Sequence, residues 1–416
     1  MRQMKDSGIE WIGKIPETWE VCRFKTLHEK ANVGESIDKE FCTENYTDTL
    51  FYTAGLKPIY TTYKDFPAAK YVDANDLLLA RNGTPYVYLP LAGAVYSDHI
   101  IRTPVKKNVD KFYIRYCLQQ AIASVVVDTV SIATWSVSVW DKQFLPIPPL
   151  KVQQRIADYL DEKCGEIDSL IGLQEQMIEK LKAYKQSVIT EAVTKGLDPN
   201  AKLVPSGIDW IGEIPEGWKV VPLKWILRKP LQYGANESGI PFDESLPRYV
   251  RITDILNNNL REDLQKQSLT EEQANGYILE DNDILFARSG GTVGKAFIYE
   301  SKYGRCAFAG YLIRAQINSH NDSKYIYYYT QSSSYDEWKK RIFIQATIQN
   351  IGADRYSILE IPIPPLSEQQ AIAAYLDEKC ADIDRLITLK QQKIEALKDY
   401  KKSVIYEAVT GKTEIV

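Results

Sequence analysis

Few residues in this chain are of a type and spacing that could carry out a reaction. The three histidines, His28, His99 and His320, are scattered, without an H-E-x-x-H frame or a carboxylate at ligand spacing, so each reads as a surface or packing residue. Ser289-Gly290-Gly291-Thr292-Val293-Gly294-Lys295-Ala296 has the outline of a phosphate-cradling loop but fails at both ends. Ser289 stands where the first glycine belongs, and Ala296 replaces the hydroxyl that would hold magnesium. No Asn-Pro-Pro-Tyr, Asp-Pro-Pro-Tyr or F-x-G-x-G segment is present for methyl transfer to a base, and the chain reads as non-catalytic. What remains is chemistry of binding. Asp76-Leu77-Leu78-Leu79-Ala80-Arg81-Asn82-Gly83-Thr84 corresponds to Asp283-Ile284-Leu285-Phe286-Ala287-Arg288-Ser289-Gly290-Gly291-Thr292, in each case a buried strand leading into a glycine loop that begins with arginine. A guanidinium on a tight loop can grip a phosphate. The competing reading is a structural turn whose arginine pairs with a carboxylate.

The elements that must position these loops are organised by a repeat. Ser7-Gly8-Ile9-Glu10-Trp11-Ile12-Gly13-Lys14-Ile15-Pro16-Glu17-Thr18-Trp19-Glu20-Val21 returns from Ser206 to Val220 with 11 of 15 positions identical. Gln153-Gln154-Arg155-Ile156-Ala157-Asp158-Tyr159-Leu160-Asp161-Glu162-Lys163-Cys164 returns from Gln369 to Cys380. Between the matched segments the halves diverge almost completely. A duplicated frame around two dissimilar inserts is a scaffold for two different recognition surfaces, and so for a two-part target.

Residues 1–149 read as a mixed globular domain of short β-branched or aromatic runs between Gly and Pro turns, and 206–365 repeat that plan. Proline-rich segments, Pro146-Ile147-Pro148-Pro149 and Pro362-Ile363-Pro364-Pro365, end each domain in extended chain. Long helices follow over 150–195 and 366–412, joined to the second domain by a linker at 196–205. Ile156, Leu160, Ile167, Leu170, Met177, Leu181, Tyr184 and Val188 form a heptad-like stripe on the first, and Ile372, Leu376, Ile383, Leu386, Leu397, Tyr400 and Val404 on the second. Lys163, Gln174, Lys379, Lys390 and Lys393 interrupt the stripes, so neither helix should stand alone. The order domain, helix, domain, helix predicts an α+β chain in which two globular α/β domains are separated by two antiparallel coiled-coil helices with a pseudo-twofold relation.

At 416 residues the chain should hold several compact units. Six dispersed cysteines suit reduced thiols, and the charged start, with no apolar run, predicts neither signal peptide nor membrane span, hence a cytoplasmic location. A net charge of −4 says little about nucleic acid, because phosphate binding depends on where Lys and Arg are placed rather than on their sum. The 27 tyrosines and 8 tryptophans suit wet recognition surfaces, though core packing accounts for most of them equally well.

The paired Gly-Ile-x-Trp-Ile-Gly-x-Ile-Pro-x-x-Trp openings, the Pro-Ile-Pro-Pro-Leu-x-x-Gln-Gln helix starts and the Leu197-Asp198-Pro199-Asn200 linker resemble the specificity subunit of type I restriction-modification enzymes, over the whole chain and in the same order. The resemblance implies two target-recognition domains that each read one half of a bipartite site in double-stranded DNA. It also implies two docked methyltransferase subunits and, in the nuclease form, two restriction or motor subunits, with S-adenosylmethionine, ATP and Mg used by those partners and no cofactor on this chain. Residues on the helices that would serve docking are Leu160, Ile167, Leu181, Leu376, Ile383 and Leu397. An interaction scaffold that binds proteins through its paired domains is the alternative, supported by the acidic net charge.

Candidate DNA contacts then lie in the inserts. Around the first glycine loop they are Arg81, Asn82 and Thr84; around the second, Arg288, Ser289, Thr292 and Lys295. Because the arginine recurs in domains that should read different sequences, phosphate contact or structure is favoured for it over base readout. Arg248 and Arg251 lie on opposite faces of one strand, so only part of that segment can face DNA. Thr134 and Ser136 before the first long helix, and Gln345, Thr347, Gln349 and Asn350 before the second, could meet phosphates or base edges, Gln and Asn being suited to adenine. An ordinary hydrogen-bonded loop explains these segments as well.

Overall fold

The computed structural model describes residues 3–46, 48–125, 133–256, 259–263, 265–344 and 350–415. It divides into two compact units, one of Met1–Gln174 with Gln392–Val416 and the other of Glu175–Gln391. The division falls within the two long helices, Leu150–Lys195 and Leu366–Val409, so each unit holds one globular domain and half of each helix.

Each domain closes at a neck built from the repeated frame. In the first unit Glu20–Arg23 pairs antiparallel with Phe144–Ile147, the strand that runs into the long helix. In the second, Lys219–Pro222 pairs in the same way with Glu360–Ile363. The tryptophans of the openings pack beside these necks: Trp19 and Trp218 are buried, while Trp11 and Trp210 flank the same cores less deeply.

The first glutamine of each Gln-Gln pair is a buried clamp. Gln153 accepts from the Asp110 N–H and donates to the Pro148 carbonyl, 2.9 and 2.8 Å, and Gln369 does the same with Asp322 and Pro364, 2.8 and 2.9 Å. Asp110 and Asp322 in turn cap the helices that begin at Lys111 and Ser323 through the N–H groups of Tyr113 and Tyr325. Tyr113 then donates to the carbonyls of Pro146 and Val409, and Tyr325 to those of Pro362 and Val193. One buried hydroxyl thus ties each neck to the last turn of the long helix that started in the other half of the sequence.

The inserts share a strand order that their sequences hide. One four-stranded sheet runs Asn32–Val33, Ile100–Pro104, Asp76–Ala80, Val87–Tyr88 in the first domain, and Gln232–Tyr233, Leu312–Ala315, Ile284–Ala287, Ala296–Ile298 in the second. Alternation along the central strand divides two cores: Leu77 and Leu79 face the frame, while Leu78 and Ala80 face the interior of the insert. Ile284 and Phe286, against Leu285 and Ala287, repeat that division. Both faces are covered, which is why these runs are continuously apolar.

Within each unit the helix halves run antiparallel. In the first, Ile156 and Leu160 share a core with Ile405, Ala408 and Val409, and farther along Asp168 pairs with Lys401 at 2.6 Å. In the second, Ile189 and Val193 meet Ile372 and Leu376, and Lys185 pairs with Asp384 at 2.7 Å. The two ion pairs are one interaction made twice, since Asp384 and Lys401 are the repeat equivalents of Asp168 and Lys185. The inward columns differ in part from the sequence expectation. Leu160, Ile167, Leu181 and Val188 lie on the inner side with Cys164, Ile171, Ile178 and Lys185, whereas Leu170, Met177 and Tyr184 are exposed, as are Leu386 and Tyr400. The apolar stripe is wider than the seam. A lysine takes a seam position because an aspartate waits across it, so hydrophobicity alone selects the neighbouring column. Lys163, Lys379 and Lys393 lie outside the inner columns, and Gln174 and Lys390 lie in them.

The helices stop at Gly196 and Gly411, with φ of 75° and 69°. A Cβ at Gly411 would fall 2.6 Å from Pro16 and 2.9 Å from Trp19, whereas at Gly196 the nearest atoms lie at 3.2 Å.

Candidate nucleic-acid interface

The structure brings the two arginine loops into equivalent settings. The Arg81 N–H donates to the His99 carbonyl at 2.8 Å, and the Arg288 N–H to the Tyr311 carbonyl at 3.0 Å, where each central strand ends. The segment before the short helix that precedes each neck strand then folds back onto the loop. Asn82 bridges Thr134 and Ser289 bridges Asn350, while Trp135 and Ile351 donate to the carbonyls of Arg81 and Arg288. Candidates far apart in sequence, Arg81 and Asn82 with Thr134, and Arg288 and Ser289 with Asn350, therefore assemble on one surface in each domain.

Among the described residues neither loop arginine meets a carboxylate. Arg81 is exposed and donates to the Asp98 carbonyl at 3.2 Å; Arg288 lies 4.9 Å over the Tyr233 ring, and its Nε is buried without a partner. Thr84, Ser136 and Lys295 are exposed beside them, and the Thr292 hydroxyl is turned inward and unpartnered. Gln345, Thr347 and Gln349 lie outside the described residues.

Two groups of candidates serve the fold instead. Arg248 sits on an inner strand of the sheet Ile240–Pro241, Gln267–Ser268, Arg248–Val250, Cys306–Phe308, buried on both faces, and its guanidinium is held by Glu262 at 2.7 Å and the Arg261 carbonyl at 2.6 Å. Arg251 forks onto Asp254 with contacts of 3.0 and 2.9 Å. On the helices, Leu160, Ile167, Leu376 and Ile383 are buried and Leu181 and Leu397 half-buried, so they hold each helix against its own unit; the outward apolar positions are Leu170, Leu173, Met177, Tyr184, Leu386, Leu389 and Tyr400.

A buried ion pair stands behind each loop. Arg102 donates through Nε to Asp76 at 2.5 Å and through Nη2 to Asp73 at 2.7 Å. Arg314, at the same register position opposite Leu285, approaches Asp283 at 3.5 Å and donates to the Ile278 carbonyl and to Gln232. Burial raises the pKa of the Asp283 carboxyl, against the pull of the Glu280 N–H, Gln316 and Arg314. Asp76 begins one central strand and Asp283 immediately precedes the other, and Arg81 and Arg288 follow their ends, so these pairs hold the strands that carry the loops. The sequence shows Asp76 and Asp283 aligned, but their partners lie across the sheet.

The second domain adds a basic cavity of about 410 Å³ lined by Lys224, Arg228 and Lys229 with Asp354 and Ser357. It adjoins the loop, because the Ala353 N–H donates to the Tyr233 hydroxyl beneath Arg288. Counted from the equivalent neck strands, Glu29 stands in the first domain where Arg228 stands here, and Thr26 where the exposed Trp225 stands. Among the described residues no cluster could hold a metal ion, and no helix is long and apolar enough to cross a membrane.

Two domains of one topology, with an arginine loop on each and a frame repeated around dissimilar inserts, define a modular recognition protein. The type I restriction modification DNA specificity domain matches residues 16–183 and again 215–399, and the chain belongs to that family, the DNA-recognition and non-catalytic component of type I systems. It is 25% identical over 431 residues to the type I restriction enzyme MjaVIII specificity subunit of Methanocaldococcus jannaschii, covering 97% of this chain and 94% of that one. It is 31% identical over 216 residues to the EcoKI specificity subunit of Escherichia coli, covering 48% of this chain and 44% of that one. A chain solved in work on complex assembly and conformational transition of the type I R-M system superposes with a TM-score of 0.71 at 15% identity, over 96% of this chain and 99% of its own, which shows a common fold.

Proposed function

We propose that each globular domain reads one half of a gapped, bipartite target in double-stranded DNA, and that the paired helices set the gap and dock the partner subunits. The observation that carries this reading is the recurrence of the arginine loop, with the same backbone partners, in two inserts whose surrounding side chains differ. Arg81 and Arg288 supply phosphate contacts common to both domains, Thr84 and Lys295 add to them, and Asn82, Thr134 and Ser136 in one domain, with Ser289 and Asn350 in the other, face the bases or the neighbouring backbone. The exposed column Leu170, Met177 and Tyr184, with Leu386 and Tyr400 on the second helix, is the apolar surface offered to methyltransferase subunits, two per complex, with two restriction subunits in the nuclease form. S-adenosylmethionine, ATP and Mg belong to those partners, which would make the assembly an adenine methyltransferase and ATP-dependent endonuclease acting in the cytoplasm. The test is to express this chain with the methyltransferase subunits of its own system and map methylated adenines across a random DNA library. A split consensus with a fixed gap is expected. A continuous consensus, or none, overturns the proposal.

A further inference from the structure

We infer that His99 in the first domain and Tyr311 in the second are specificity-determining residues that read base edges. The inference rests on the DNA-reading proposal above and assigns its discriminating side chains. His99 and Tyr311 are structural equivalents: each immediately precedes the strand that pairs with the central strand, and each accepts the backbone N–H of its loop arginine. Both side chains are exposed, Tyr311 by 64%. What stands around them separates the domains. The arginine is shared, but Asn82, His99 and Thr134 on one side become Ser289, Tyr311 and Asn350 on the other. A group common to both domains cannot specify two different half-sites, whereas these neighbours can.

The chemistry of each cluster suits base edges. Asn82 Nδ2 lies 2.8 Å from His99 Nδ1, and because an amide nitrogen can only donate, the ring nitrogen accepts and the ring N–H sits on Nε2. That N–H is a donor for purine N7, guanine O6 or thymine O4 in the major groove. Among the described residues the Tyr311 hydroxyl and ring have no hydrogen-bond or aromatic partner, so both are open to a bound molecule. Its hydroxyl can donate or accept, its ring can cover a thymine methyl, and the exposed Asn350, bridged to Ser289 of the arginine loop, has the paired donor and acceptor that match adenine. The first domain is thereby assigned a base that offers an acceptor, and the second an A·T pair.

The test uses the complex with its methyltransferase subunits and a randomised DNA library, comparing the methylated consensus of the wild type with those of His99→Ala, His99→Gln and Tyr311→Ala. His99→Ala should relax discrimination about tenfold at one position of one half-site, leaving the other half and the gap unchanged, and Tyr311→Ala should do the same in the opposite half. His99→Gln, which keeps a donor, should retain or shift the preference at that same position, and it is the variant to read if His99→Ala lowers the thermal midpoint of the complex. A consensus unchanged base for base in these variants, or a uniform fall in methylation at every site, overturns the inference while the split wild-type consensus leaves the DNA-reading proposal standing. Absence of a split consensus in the wild type would instead remove that proposal, and this one with it.

Discussion

The frame and the inserts respond differently to the same duplication. In the frame, side-chain contacts repeat atom for atom: Gln153 and Gln369 clamp the same pair of backbone groups, Tyr113 and Tyr325 bridge the same two carbonyls, and Asp168–Lys401 recurs as Lys185–Asp384. In the inserts the backbone repeats and the side chains do not. Strand order, the alternation between two cores and the arginine N–H to a carbonyl across the sheet are common to both, while Asn82, His99 and Thr134 give way to Ser289, Tyr311 and Asn350. The frame contacts join parts of one chain and can be the same twice. The insert surfaces must meet two different partners, so only the backbone that supports them is held.

This contrast can be broken at its strongest point by removing a frame tryptophan. Trp19→Ala should cost about 3–5 kcal/mol in chemical denaturation, because the ring is buried against the neck, and Trp218→Ala should cost a similar amount. Trp11→Ala, where the ring is only partly buried, should cost clearly less. A loss for Trp11→Ala as large as that for Trp19→Ala would mean that the openings are not organised by the deeper ring.

The next effect sharpens the comparison between the two inserts. Arg102→Ala leaves Asp76 buried and uncompensated and should cost about 3–5 kcal/mol. Arg314→Ala should cost less, since its closest carboxylate contact is 3.5 Å and its other partners are neutral. Unfolding monitored by limited proteolysis should open the first insert in Arg102→Ala and leave the second protected. Equal losses would indicate that the two pairs are worth the same despite their geometry.

Much of the frame was legible because it is written twice in sequence. The heptad stripe was legible in part: Leu160, Ile167 and Leu181 were placed on the inner side, but Lys185 was missed because a charged residue enters a seam only when its partner across the interface is known. The strands ending at Arg81 and Arg288 were legible as apolar runs with a glycine loop behind them. Their neighbours were not. His99 reaches Arg81 through strand pairing and Asn82 from 17 residues away, and Thr134 reaches Asn82 through a bridge from another segment. Arg248 misled for the opposite reason, since its neutralising Glu262 arrives from a different segment of the same sheet region.

Smaller effects test how closely the two helix ends correspond. Gly411→Ala combines a left-handed backbone with a collision against Pro16 and Trp19, and should cost more than the roughly 1–2 kcal/mol of the backbone term alone. Gly196→Ala, with contacts of 3.2 Å, should stay near that backbone term. Smallest of all, double-mutant cycles on Lys185–Asp384 and Lys401–Asp168 should each give below about 1 kcal/mol, because both aspartates are more than half exposed. The two values should agree with one another and shrink together in salt. A large coupling at one pair and none at the other would contradict their equivalence.

The central claim, that the inserts are independent readers on a shared frame, is tested most directly by exchange. Residues 22–145 are replaced by the corresponding insert of a relative that recognises a different target, and the methylated consensus of the assembled complex is compared with the parental one. One half of the consensus should change, while the other half and the gap remain those of the parent. A change in both halves at once would show that the two domains do not read separately and would contradict the account.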